Sequence, residues 1–566
     1  MKKKLICLLI LCLLCGCTPQ LPFNTFIDEV THLFLEGTTS FNLNYLYNDS
    51  IYDGKYFGLG FVSKEEYDEM MDQYEDIKKD LSSYRYVSLS DEEKIIYDAL
   101  DDYLSRQLAL KDYYYYDNDY FGSYSSLVQE LPLLLQMYTF NDQEDLNNYL
   151  KNIKAFKNDF LEAIAFEKKR QELQLGYSKE ILEDTIAQIE DILDENGEEL
   201  IKEVNHTIAN LPFLTNDEIK TYQDLNVIAI KEDLMGAYQI LLQGLKEIEG
   251  KKENISIHDK AYYEAIIYQQ LGIKKKINAI EKDLIEDYDK YTRTLYSLIS
   301  MNPEILEVDN IYAIEYSEFE DASSGLDYLK GAIQDIVPSI DQLEYTIYTV
   351  PESLQEGFAP AAYLSPKIDM KESQKESILI NPLGSQENLF PTLVHEGYPG
   401  HMYQHTYLRN KNYPDIMYLI DCIGYSEGWA IYMEHRASEF LKDNVMWQKI
   451  LITNEQVNSC LLALMDIQIH YKGWSYQECI DFFNDYTGNT YTTELQDLYN
   501  IILQTPGYYL YYIYAGEIFH DLYEEAYTKL GNKFNETDFH RIILECGNVG
   551  LDLVSKNIKQ YIKIMK

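Results

Sequence analysis

A chain of 566 residues with 46% hydrophobic and 25% charged side chains has ordinary globular composition; this excludes disorder over any long stretch and leaves ample material for a large core. Its formal net charge of -46 argues against a nucleic-acid partner, whose phosphates would be repelled, and against adhesion of the protein surface to anionic lipid.

The first elements concern export. Lys2, Lys3 and Lys4 precede an apolar run from Leu5 to Leu14 that is too short to span a bilayer, so residues 1–16 read as a signal peptide. The run ends Leu14-Cys15-Gly16-Cys17, which looks like a bacterial lipobox, and Cys17 is the expected lipidated (palmitate-type) N-terminus of the mature chain. Residues 17–22 would then be a short tether, and the membrane would be reached through lipid only, with the body extracytoplasmic. Cys422, Cys460, Cys479 and Cys546 remain in the body; they contain no CxxC pair, so a cysteine zinc site is not expected, while a bridge or two stays open.

From residue 23 to about 350 the pattern is helical. Lys64–Leu81, Asp91–Leu110, Asp142–Leu173 and Ile181–Asn210 carry apolar residues at three- and four-residue spacing. Ser63 and Ser90 each stand three residues before a Glu, the form of a capping box. The acidic block Glu190–Glu199 reads as a solvated helix face, and the tyrosines at 113–116 as amphipathic packing. Near residue 351 the texture changes: Phe358–Tyr363 is loop-like, and Ser377–Pro382 reads as a short strand ended by proline, part of a small sheet. Such a strand beside a metal helix could take up an extended peptide by strand addition. The expected fold class is therefore mainly α, with a small β-sheet beside the site helices, and the 351–566 region is expected to pack with the 23–350 region as one unit.

The chemistry concentrates in His395-Glu396-Gly397-Tyr398-Pro399-Gly400-His401. A zinc hydrolase needs three protein ligands, an open position and a carboxylate to receive a water proton. His395 and His401 are candidate ligands, and Glu396 stands where HExxH sites carry the general base. The spacing of six is the obstacle, since an unbroken helix would turn the two rings apart by about 240°. Pro399-Gly400 supplies a break that can return His401 to the metal side. Glu427, in Gly424-Tyr425-Ser426-Glu427-Gly428-Trp429-Ala430, is the third candidate ligand, and Glu434, seven residues on, could orient a ligand imidazole. A competing set pairs His401 with His405 at ordinary helical spacing.

Further along, Asp466 and His470 are spaced i and i+4, so the carboxylate could orient the imidazole as an oxyanion donor. Thr505-Pro506-Gly507-Tyr508 opens a tyrosine-rich helix in which Tyr512 is a second candidate donor, with Tyr508 and Tyr511 as alternatives.

Taken in order, His-Glu-x-x-Pro-Gly-His, Glu-Gly-Trp-Ala, Asp-x-x-x-His-x-x-Gly-Trp-Ser and Pro-Gly-x-x-x-x-Tyr resemble the bacterial domain of unknown function 885 family. Leu131-Pro132 and Lys260-Ala261-Tyr262-Tyr263-Glu264 are similar to segments of that family in its helical N-terminal half. The resemblance implies a protein similar to gluzincin metallopeptidases. One Zn2+ ion would be held by His395, His401 and Glu427, with Glu396 as base, His470 and Tyr512 as oxyanion donors, and a peptide as substrate. Two other readings keep parts of the same site: a surface lipoprotein that binds peptide or glycan without catalysis, and a zinc amidase acting on cell-wall material.

Overall fold

The expected helix starts are built as capping boxes. The Ser63 hydroxyl accepts from Glu66 N–H at 3.3 Å and the Glu66 carboxylate accepts from Ser63 N–H at 3.1 Å. Ser90 and Glu93 repeat the arrangement at 3.2 and 2.7 Å. They open the helices Lys64–Ser82 and Asp91–Leu108, and a third long helix runs Gln143–Glu172. One expectation fails: Ile181–Asn210 is two helices, Lys179–Asp194 and Glu198–Ala209. Asn196 and Gly197, at φ 52° and 63°, turn the chain between them, so apolar periodicity on either side of a left-handed turn had merged two elements into one.

This computed structural model describes residues 20–47, 56–116, 120–124, 126–250, 258–307, 319, 321–340, 343–350, 355, 359–370, 375–383, 389–442, 445–488 and 495–566. The expected signal peptide and Cys17 lie outside them. Among the described residues the protein is mostly helical with one three-stranded sheet, and no helix is long and apolar enough to cross a membrane. Cys422, Cys460, Cys479 and Cys546 are buried free thiols.

Among the described residues two large apolar cores form, with smaller clusters beside them. Phe41, Leu131, Phe156, Tyr238 and Leu241 belong to one, drawn wholly from residues 41–245. The larger core joins Phe26, Leu100, Tyr263 and Leu284 to Leu393, Trp429, Phe519 and Val554. Chain from both sides of residue 350 shares this core, so the core does not divide at that point.

The sheet has the order β1 (Tyr345–Thr349), β3 (Glu376–Ile380), β2 (Ala361–Leu364), with β1 parallel and β2 antiparallel to β3. This corrects two sequence readings. Residues 361–363, expected as loop, form the strand β2. The strand at 376–380 is central, paired on both sides, so strand addition there is closed and β2 is the edge nearest the site. The two alanines of β2 hide its strand character, which comes from pairing Ala361 with Ile380 and Tyr363 with Ile378.

Candidate metal centre

The helix Leu389–Glu396 stops because Pro399 has no N–H to offer the carbonyl of His395. Gly397 and Tyr398 both donate to the Leu393 carbonyl, at 2.9 and 3.2 Å, and Gly400 reaches back to Val394 at 2.9 Å. A β-carbon on Gly400 would stand 1.8 Å from the His395 carbonyl oxygen, so only glycine fits this turn. The next helix, His401–Arg409, starts at once, and the buried Trp429 indole N–H fixes the turn from below by donating to the Pro399 carbonyl at 2.8 Å. The expected break is thus present, and it brings the two imidazoles together with ring centroids 4.8 Å apart.

Glu427 arrives on the helix Ile423–His435. Its Oε2 lies 3.5 Å from Nε2 of His395 and 3.5 Å from Nε2 of His401. Each imidazole is steered by its other nitrogen: Nδ1 of His395 is 2.8 Å from Glu434 Oε2, and Nδ1 of His401 is 3.3 Å from the Ser426 hydroxyl. Glu434 therefore stands where the sequence expected it. One donor atom from each of His395, His401 and Glu427 falls within 4.8 Å of the others, and this trio, not the His401–His405 pair, is the convergent group among the described residues. His405 lines the same cavity with its ring 5.4 Å from Tyr363; burial and then the neighbouring His401 push its pKa down to about 4, so it is neutral.

These residues fit a tetrahedral divalent ion. Bonds of about 2.1 Å at tetrahedral angles put neighbouring ligand atoms about 3.4 Å apart, close to the two 3.5 Å separations here. Glu427 Oε2 is buried without a hydrogen-bond partner, as a ligand oxygen awaiting a cation would be. The electrostatics agree. Burial alone would raise the Glu427 carboxyl, but His395 and His401 beside it hold it down to about 2. Burial alone would lower His395, but Glu427, Glu434 and Glu396 raise it well above the usual histidine range. Three carboxylates thus act on His395.

Glu396 shares a cavity of about 330 Å³ with Ala362, Tyr363, Ser365, the two histidines, Glu427 and Tyr512. Its Oε2 accepts the main-chain N–H of Tyr363, in the edge strand, at 2.8 Å. Among the three candidate tyrosines it is Tyr512 that lines the cavity. It sits in a π-helical turn, Leu510–Tyr514, of the kind that often marks functional positions in helices. Gly428 lets the helix that continues from this turn, Ala515–Leu530, approach the Glu427 helix, since a β-carbon there would meet Ala515 at 2.7 Å. Burial, then the charge of Glu427, raises the Tyr512 phenol, which keeps its proton.

The sequence matches the family described as bacterial protein of unknown function (DUF885) over residues 51–558. The chain belongs to DUF885. A search of curated proteins returns no match. Among solved structures, this DUF885 chain is similar to one described as a lipoprotein from Colwellia psychrerythraea, with TM-score 0.81, 15% identity, and 96% of this chain and 98% of that chain covered. A second, described as a lipoprotein of unknown function from Shewanella oneidensis, has TM-score 0.63 and 17% identity over the same shares. At such identities the likeness concerns the fold.

Asp466 and His470 of the DUF885 chain do not line the cavity. His470 is buried; its Nε2–H donates to the Ile502 carbonyl at 2.7 Å and its ring stacks on Tyr263 with centroids 5.7 Å apart. Burial pushes it down to about 4, so this is the single N–H of a neutral ring and none is left for an oxyanion. Asp466 Oδ1 accepts the Tyr263 phenol at 2.7 Å and Gly507 N–H at 3.0 Å, so the carboxylate anchors the start of the tyrosine segment. Helical spacing put the pair side by side; stronger partners from other helices took both. Tyr363 and Ser426 were missed as site residues. Ser426 carried a usable signal, lying next to a ligand, whereas the Tyr363 contribution is a backbone N–H, to which side-chain identity gives no clue.

Proposed function

We propose that this DUF885 protein is a zinc-dependent peptide hydrolase held by lipid at Cys17 on the outer side of a membrane. The observation that carries the reading is the single buried Glu427 oxygen placed 3.5 Å from both imidazole nitrogens, with Glu396 on the same cavity wall. His395, His401 and Glu427 would hold the ion, which when bound supplies Lewis acidity to a peptide carbonyl and acidifies a water. Glu396, its carboxylate aimed by the Tyr363 N–H, takes the proton of the attacking water and returns it to the leaving amine. Tyr512, kept protonated, donates to the carbonyl oxygen as it gains charge. A peptide strand alongside β2 would pass Ala362 and Tyr363, which line the cavity. The extracytoplasmic placement rests on the Leu14–Cys17 signal and accords with the two lipoproteins of the same fold.

Metal analysis of the purified protein together with mass spectrometry of a mixed peptide library tests this. About one zinc per chain and shortened peptides are expected for the wild type, and Glu396→Gln should keep the zinc and lose roughly a thousandfold or more in cleavage rate. A wild type that retains no zinc overturns the metal reading. Zinc with intact peptides would leave a binding lipoprotein. Cys17→Ser should move the protein out of the membrane fraction.

A further inference from the structure

We infer that Glu376 is a positioning residue that keeps the proposed base in register with the proposed ligand His401; this rests on the hydrolase reading above. Glu376 is 3% exposed on the central strand, where a carboxylate is unfavourable unless its oxygens are matched. They are matched from two directions. Oε2 accepts the Tyr363 phenol of β2 at 2.6 Å. Oε1 accepts the Thr406 hydroxyl at 2.8 Å and is paired with the Arg409 guanidinium, both on the helix His401–Arg409.

The arrangement joins two functional ends. Tyr363 gives its side chain to Glu376 and its main-chain N–H to Glu396 Oε2, at 2.8 Å, so the orientation of the base depends on where the phenol is anchored. Thr406 and Arg409 continue the helix that begins with His401, so the same carboxylate sets the seat of the ligand helix. Glu376 and the buried Ile378 lie on the same face of β3, so the anchor is carried by a strand whose next inward side chain sits in the larger core. An apolar contact would hold strand to helix equally well. The charged set adds direction: one carboxylate, with both oxygens engaged, defines the angle of both Tyr363 and the proposed ligand helix.

Full-length wild type, Tyr363→Phe and Glu376→Gln are compared by hydrogen exchange and by zinc content, with peptide cleavage as the second readout. Tyr363→Phe deletes only the phenol link. Exchange of the 361–364 segment should quicken about tenfold, kcat should fall about tenfold with KM within twofold, and zinc should stay at the wild-type level. Glu376→Gln should show the same exchange change and a weaker hold on zinc, because the His401 helix loses its charged partner; where this variant does not fold, Tyr363→Phe decides. Unchanged exchange at 361–364 in folded Tyr363→Phe, or a loss carried by KM alone, overturns the proposal. A wild type with neither zinc nor cleavage overturns the hydrolase reading instead, and the exchange comparison still decides whether Glu376 positions the strand.

Discussion

At His395 and His401 the imidazoles turn Nδ1 toward Glu434 and Ser426 and Nε2 toward one oxygen of Glu427, on the wall of a cavity. At Asp466 and His470 a carboxylate and an imidazole also share a helix, and a carboxylate oxygen, Asp466 Oδ2, is again buried without a hydrogen-bond partner. The two regions resolve the same problem with different positive charges. Burial alone would raise Glu427, but the two imidazoles hold it down to about 2, so it stays ionised. No cation among the described residues lowers Asp466: burial raises it to about 7, against weaker lowering by Tyr263 and the Gly507 and Tyr509 N–H groups, so a proton suffices near neutral pH. An orphan oxygen alone is therefore not a metal ligand. Convergence of other ligands on it, with its charge preserved, is what distinguishes one.

The sharpest way to break this contrast is to remove a ligand. His401→Ala should reduce zinc from about one per chain to below about one tenth, since two ligands rarely retain the ion; zinc retained at the wild-type level, read by atomic absorption, would mean that another set, such as one with His405, holds it. Glu434→Gln should weaken zinc binding about 10- to 100-fold in a chelator competition, because it takes the negative charge away from Nδ1 of His395 without changing a candidate ligand. His470→Ala should behave oppositely, leaving zinc intact and cleavage per folded molecule within a few-fold. It should destabilise the chain by about 1–3 kcal/mol in denaturant unfolding, since the buried ring and its hydrogen bond to the Ile502 carbonyl are both lost. A hundredfold loss of cleavage at unchanged stability would restore His470 as an oxyanion donor.

The smallest effect concerns Asp466. Its carboxyl rises from an ordinary 3.8 to about 7 on folding, so the neutral form is favoured in the native state. Stability from this group is complete below pH 3.8 and is lost as pH rises through about 7. Asp466→Asn removes that titration while keeping an acceptor for Tyr263 and Gly507. The difference in Tm, wild type minus variant, should become more negative by a few degrees between pH 5 and pH 9; a difference that is flat, or that grows with pH, contradicts the assignment of a proton to this site.

Several features were legible without coordinates because they depend on neighbours in the chain. Ser63 and Ser90 cap helices through residues three places on, and Pro399-Gly400 breaks a helix through a missing N–H and a missing β-carbon. His395 and His401 flank that break and follow the same logic, whereas Glu427, on a separate helix, was picked out by residue type as the third member of a possible metal set. One equally local feature went unread. The two-residue turn at Asn196-Gly197 split one expected helix, because periodicity cannot register a left-handed residue.

What the sequence by itself determined is the mainly helical fold class, the family, the place of the break and the two histidines beside it. Tertiary structure decided which nitrogen of each histidine faces Glu427, that Tyr512 and not Tyr508 or Tyr511 borders the cavity, and that β2 is the edge beside Glu396. It also closed the Asp466–His470 pair into the core through Tyr263, 203 residues away from Asp466, and the Ile502 carbonyl, 32 residues from His470. The reason is range. Capping, periodicity and turn chemistry act over three to six residues and are written in order along the chain, whereas the orientation of an imidazole or a carboxylate is set by whichever distant donor packs against it.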